Sequence, residues 1–283
     1  MTKPTLYPES GFSRLRIDLA YDGSNYFGWA RQSDQRSVQE GIESALSKIA
    51  RVNIETVVAG RTDAGVHATG QVIHADVPES LESEDLLYKL NRILDEDIRI
   101  MKIEKAPAAF HARFSALRRH YNYKILDNNA ILSPLNRFDV APWYKALEID
   151  LMNQASSLVI GKHDFAAFSK FREGATTLRT LEKFSWHRDT HGYLIAELVA
   201  DAFCYSMVRS LVGAAVCVGD QRFAPEWMKS VLLKKERVSD SLVFPARGLT
   251  LIRVDYPDDA QLLLAAAQNL ALEVGDLAIA GDE

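Results

Sequence analysis

From Arg14 to Tyr21 apolar and polar residues alternate, with Leu15, Ile17 and Leu19 on one face, the two-residue period of a half-buried strand. Gly23, Ser24, Asn25 and Gly28 then mark a loop. Ser37 predicts a helix start. Glu40, three residues on, completes a capping box ahead of Ile42, Ala45, Leu46 and Ile49 at helical spacing. A short strand at Thr56-Val57-Val58 precedes Gly60, and Gln71 to Val77 predicts another strand. Ser83 to Leu94 has a helical period, and Ile98 to Ile103 reads as a strand. The element order is β-α-β-β-α-β.

The second half repeats that order without repeating its residues. Arg119 to Leu126 reads as a strand and Leu147 to Ile160 as a helix. Leu181 to Arg188 and Tyr193 to Ala200 form a hairpin about Gly192. Tyr205 to Val218 and Pro225 to Leu233 are predicted helices, and Leu249 to Asp255 is the last strand. Two such runs predict an α+β fold of two ferredoxin-like (βαββαβ) halves with mostly antiparallel sheets joined around a central cleft. The halves are expected at 1–106 and 107–256, followed by an acidic tail at 257–283. That tail includes an apolar helical stretch from Leu262 to Ala267.

Composition adjusts this picture in three ways. The length of 283 residues fits two domains at about 150 residues each. No apolar run is long enough to span a membrane, and the opening residues lack an apolar signal core, so a cytoplasmic protein is expected. The two cysteines, Cys204 and Cys217, fit a reducing compartment. Read as belonging to one helix, they stand too far apart to pair. His187 and His191 have a metal-like spacing, but Gly192 beside them predicts a turn, and no metal site is expected. The net charge of −5 argues at first against a nucleic-acid partner. Seven acidic residues follow Arg253, however, with no Lys or Arg among them, and removing them leaves the preceding body at +2. A mildly basic body can carry a basic groove.

The stretch Ala59-Gly60-Arg61-Thr62-Asp63-Ala64-Gly65-Val66-His67-Ala68 follows a strand and is bracketed by two glycines that permit tight turns. It is no Walker loop, since Gln71-Val72 stands where Lys-Ser/Thr is required. On spacing alone, an Asp that stabilises its own turn is the plainer reading of Asp63. Arg209 lies early in an otherwise apolar helix, where an unpaired cation would be costly, although an Arg can also snorkel from a helix edge. Tyr121 and Tyr123 share one strand face, and sheet core is the ordinary reading of both.

Gly60-Arg61-Thr62-Asp63-Ala64-Gly65-Val66-His67 resembles the catalytic motif of the TruA family of tRNA pseudouridine synthases. The segment from Asp22 to Trp29 with Gln32 resembles the family's amino-terminal signature. Phe110 to Ala116 with Tyr121 and Tyr123, Asp164-Phe165 with Phe168, and Met207-Val208-Arg209 with Gly213 resemble further motifs in the same order. The resemblance runs from about Arg14 to Tyr256. It implies isomerisation of uridine to pseudouridine in the tRNA anticodon stem-loop at positions 38, 39 and 40. Asp63 would be the nucleophile, Arg209 its ion-pair partner, Tyr121 the ring stacked on the uracil, and Arg61 the residue that helps extract the base. A homodimer is implied as well. The isomerisation involves no redox change and loses no group, so no cofactor or metal is required. Arg31, Arg113, Arg118, Arg119, Lys162, Lys170, Arg172 and Arg179 are candidates for phosphate contacts.

Two other classes fit less well. An RNA-recognition module would show an aromatic RNP1 pattern on a strand, and none is present. A phosphatase with a carboxylate nucleophile would need a metal-binding acidic cluster. Only Glu55 lies within ten residues of Asp63.

Overall fold

The computed structural model describes residues 7–81, 83–172, 174–237, 242–258 and 260–262. Its elements in the first half are β1 (Phe12–Tyr21), α1 (Val38–Ala50), β2 (Thr56–Val58), β3 (His67–Pro78), α2 (Ser83–Ile93) and β4 (Ile98–Lys105). In the second half they are β5 (Arg118–Leu126), β6 (Ala141–Pro142), α3 (Ile149–Ser157), β7 (Gly161–Asp164), β8 (Leu178–Arg188), β9 (Leu194–Ala200), α4 (Met207–Gly219), α5 (Glu226–Lys234) and β10 (Leu249–Asp255). Ser37 caps α1 as the sequence predicts, its hydroxyl accepting the N–H of Glu40 at 3.4 Å.

One sheet runs through both halves in the order β4-β1-β3-β10-β5-β9-β8-β7, with β2 on β3 and β6 on β5. The first half contributes the order β4-β1-β3-β2, and the second repeats it as β10-β5-β9-β8. Both are the ferredoxin-like arrangement expected of a βαββαβ chain. The pairs are antiparallel except where β10 meets β3 and β6 meets β5. Opposite β1, strand β3 is long enough to serve two neighbours along one edge. Its residues 73–75 pair with β2, while His67 and Ala68 pair with Thr250 and Leu251 of β10. Gly70 permits that approach, because a Cβ there would lie 2.0 Å from the Ile252 carbonyl oxygen. The loop between β2 and β3 therefore emerges at the seam of the two halves.

Three elements differ from the sequence reading. Strand β3 starts at His67, four residues before the predicted start, because pairing with β10 extends it. The helix expected to reach Ile160 ends at Ser157, and Gly161–Asp164 pairs as an edge strand with β8. Cys204 precedes α4 instead of lying within it, and both cysteines are free thiols. His187 lies in β8, and His191 sits in the turn after it. Among the described residues no cluster of three or more His, Cys, Asp or Glu side chains could hold a metal. No helix there is long and apolar enough to cross a membrane. Beyond Leu262 the apolar stretch of the tail lies outside the described residues.

Candidate active site

The loop carrying Asp63 is held at its base and along one side. Ala59 donates its N–H to the Val72 carbonyl at 2.9 Å, closing the β2-β3 connection. Gln71 bonds the Gly60 carbonyl at 2.9 Å and the Tyr21 hydroxyl at 3.2 Å, and that hydroxyl is 2.8 Å from Thr62 Oγ1. Trp29 N–H reaches the Thr62 carbonyl at 3.0 Å, and Gly65 N–H reaches the Tyr26 carbonyl at 3.2 Å. Gly28 sits at φ +97°, and a Cβ there would come within 2.8 Å of the Thr62 oxygen. The segment 22–29 singled out in the sequence is thus the cradle of the loop. It orders backbone that would otherwise be free, and so aims the Asp63 side chain.

His67 ties the end of the loop to the second half. Its Nδ1 accepts the Gly23 N–H at 3.1 Å, while Nε2 faces the carbonyl oxygens of Phe138 at 2.8 Å and Arg247 at 3.1 Å. Asp22 Oδ1 lies 3.1 Å from the same Nδ1, so both ring nitrogens are engaged and the ring is held in place.

Asp63 points across the seam at the first turn of α4. Its Oδ2 is 3.5 Å from Arg209 Nη1 and accepts the Ser206 hydroxyl at 3.2 Å. The side chains of Arg209 and Asp63 keep 21% and 19% of their surface exposed, so the pair is sheltered yet open to a ligand. The carbonyl oxygen of Phe244 accepts Arg209 Nε at 2.7 Å and fixes the guanidinium plane. Burial pushes the Asp63 carboxyl above its usual range. The Arg209 charge, the Ser206 hydrogen bond and, less strongly, the charge of Lys170 oppose that rise.

The two tyrosines of β5 separate cleanly. Tyr123 is fully buried, donates to the Pro245 carbonyl at 2.5 Å and packs on Phe244 at 5.6 Å. Tyr121 stands edge-on to Phe203 at 5.2 Å, and its hydroxyl takes no hydrogen bond among the described residues. Burial raises its phenol above the ordinary range, and the Tyr21 hydroxyl and the Asp63 carboxylate raise it further. Tyr121 therefore belongs to the Asp63 neighbourhood, and Tyr123 supports the wall behind Arg209.

Arg61 is exposed, and its guanidinium is made less basic by partial burial and by the charges of Arg172 and Arg113. Arg61, Arg113 and Arg172 have no acidic partner among the described residues, which leaves like charges grouped beside the loop, and Lys170 acts on Asp63 itself. Of the other predicted phosphate contacts, Lys162 in β7 has no acidic partner among the described residues and Arg179 in β8 donates to the Leu178 carbonyl at 2.6 Å, while three are engaged elsewhere. Arg31 pairs with Glu43 and Arg118 with Glu182. Arg119 is buried and donates to the carbonyls of Ala59, Arg113, Ala116 and Asp201, so it clamps the base of the loop to β5 and is not free to meet RNA. Ser206 was missed in the sequence. No sequence signal pointed to it, since its left-handed backbone before α4 directs the hydroxyl.

The family described as tRNA pseudouridine synthase matches residues 19–115 and 155–257 of this chain. The chain belongs to that family, whose members isomerise uridine in RNA. Among curated proteins, tRNA pseudouridine synthase A of Streptomyces griseus is 49% identical over 266 residues, covering 92% of this chain and 94% of its own. The namesake from Frankia casuarinae is 46% identical over 265 residues, covering 93% and 97%. That of Mycobacterium leprae is 45% identical over 277 residues, covering 93% and 95%. The similarity places the chain within the TruA branch of the family.

Proposed function

We propose that this enzyme isomerises uridine to pseudouridine at positions 38, 39 and 40 of the tRNA anticodon stem-loop, with Asp63 as nucleophile. The observation that carries the reading is the Asp63 carboxylate held 3.5 Å from Arg209 across the seam of the two halves. An ionised carboxylate is what the first step needs. The C1′–N1 bond breaks with its electron pair leaving on the uracil, and the carboxylate either bonds to C1′ or takes the C2′ proton to give a glycal. The base turns and C5 bonds to C1′ as the carboxylate–C1′ bond breaks or, from the glycal, as the carboxyl returns its proton to C2′; the C5 proton is lost as N1 gains one. Atoms and electrons balance without an oxidant, a reductant or a cofactor.

Each neighbour has a part in that sequence. Arg209 keeps Asp63 charged in a site whose burial favours the neutral acid. Tyr121 offers a ring for the uracil to stack on and a hydroxyl beside the proton leaving C5. Arg61 stands at the rim, where a cation can fill the space of an extracted base; such extraction costs a few kcal/mol. The grouped charges of Arg113, Lys170 and Arg172 fit the phosphates flanking the target. Residues 1–106 supply the loop and 107–256 supply Tyr121 and Arg209. A homodimer whose tRNA touches both subunits belongs to the same reading. The test is to incubate the protein with unmodified tRNA and map pseudouridine by primer extension after carbodiimide treatment. Stops at 38, 39 or 40 are expected, and modification confined to other stems would overturn the assignment.

A further inference from the structure

Ser206 stands immediately before α4 with its backbone in the left-handed region, at φ 60° and ψ 9°. Few residues other than Gly, Asn and Asp adopt that conformation. The surrounding backbone holds it there. Met207 N–H bonds the Cys204 carbonyl at 3.1 Å, Ser210 N–H bonds the Ser206 carbonyl at 3.0 Å, and Lys170 N–H bonds the Tyr205 carbonyl at 3.0 Å. A serine at this position ordinarily caps its own helix. Here the side chain makes no cap bond, and the hydroxyl is directed to Asp63 Oδ2 at 3.2 Å. Arg209 Nη1 approaches the same oxygen at 3.5 Å. Oδ1 takes no hydrogen bond among the described residues.

Resting on the reading of Asp63 as nucleophile, we propose that Ser206 is a positioning residue for the reaction: its hydroxyl and the Arg209 guanidinium fix Oδ2, leaving Oδ1 as the oxygen presented to the target sugar. A hydrogen bond to one carboxylate oxygen stops the group from spinning and selects which oxygen faces the cleft. It also favours the ionised form. The other groups acting on that charge are Arg209 from α4, Lys170 from the segment before β8, and the hydroxyl of Tyr121 from β5. Ser206 makes the shorter contact to Oδ2, at 3.2 Å against 3.5 Å for Arg209, whose Nε is held by the Phe244 carbonyl.

Ser206→Gly tests this without disturbing the turn, since glycine accepts the left-handed backbone readily. Single-turnover tritium release from tRNA carrying 5-tritiated uridine is followed against pH. The acid limb of the variant is expected to move up by about one pH unit, giving roughly tenfold slower release on the acid side, with a smaller loss persisting at alkaline pH because Oδ1 is no longer held toward the sugar. KM for tRNA stays unchanged, and Tm equals or exceeds that of wild type. A profile superimposable on wild type, or an equal loss at every pH, overturns the proposal. Asp63→Asn is measured in parallel. Release by that variant would sink the nucleophile assignment itself, whereas an inactive Asp63→Asn with an unaltered Ser206→Gly would sink only the role of Ser206.

Discussion

Replacing Arg209 by Gln removes the cation 3.5 Å from Asp63 while keeping a side chain of similar reach. Coulomb's law at that separation, with an effective dielectric of about 20, gives an attraction of about 5 kcal/mol. Both side chains retain about a fifth of their surface in water, and Ser206 and Lys170 still act on the carboxylate. The net effect is therefore smaller, about one to two pH units, at roughly 1.4 kcal/mol per unit. The sign follows from the physics. Burial already raises Asp63, and removing the opposing cation raises it further, so a larger fraction is protonated and inactive at any given pH. In single-turnover assays between pH 5 and 9, Arg209→Gln should be about 10- to 100-fold slower on the acid side, with much of the rate recovered as pH rises. Melting should fall modestly as well, because the Phe244 carbonyl loses its donor. A rate depressed by one factor at every pH, with the acid limb in place, would refute this reasoning and make Arg209 a purely structural contact.

Tyr121→Phe should abolish or severely slow release with Tm little changed, since its hydroxyl takes no hydrogen bond among the described residues. Tyr123→Phe should instead cost about 1 kcal/mol of stability in denaturant unfolding through loss of the Pro245 contact, and spare much of the rate. His74 is pushed down to about 3 by burial and the Arg14 charge, and its Nδ1 accepts the Ala112 N–H at 3.0 Å. The unfolded chain binds that proton below about pH 6.5 while the folded chain does not. This group's contribution therefore falls by up to about 1.4 kcal/mol per pH unit between pH 6.5 and about 3, and stability measured from pH 7 to 4 should drop less steeply in His74→Gln. Arg172→Ala should raise KM for tRNA and lower the salt slope of binding by about one, while Arg118→Ala, whose partner is Glu182, should do neither.

The local patterns gave away most elements because periodicity and capping are local properties. Ser37 and the β1 alternation needed no partner to be read. The seam was harder. The parallel pairing of β10 with His67 and Ala68 joins positions about 180 residues apart, and no window along the chain contains it. The same distance explains the overcounted basic residues. Arg119 and Arg113 look alike in sequence, but only folding reveals that Arg119 donates to four carbonyls while Arg113 faces like charges. Asp63 and Arg209 were read through resemblance to a family; spacing alone left the Asp as a turn residue. Ser206 escaped because its left-handed backbone, not its residue type, directs the hydroxyl to Asp63.

The central claim is that one carboxylate, kept ionised across the seam, begins the chemistry. Tritium release from 5-tritiated uridine in tRNA, compared between wild type and Asp63→Asn of equal fold and equal tRNA affinity, measures it most directly. The account predicts release by the wild type and essentially none by the variant, and comparable release by both would contradict it.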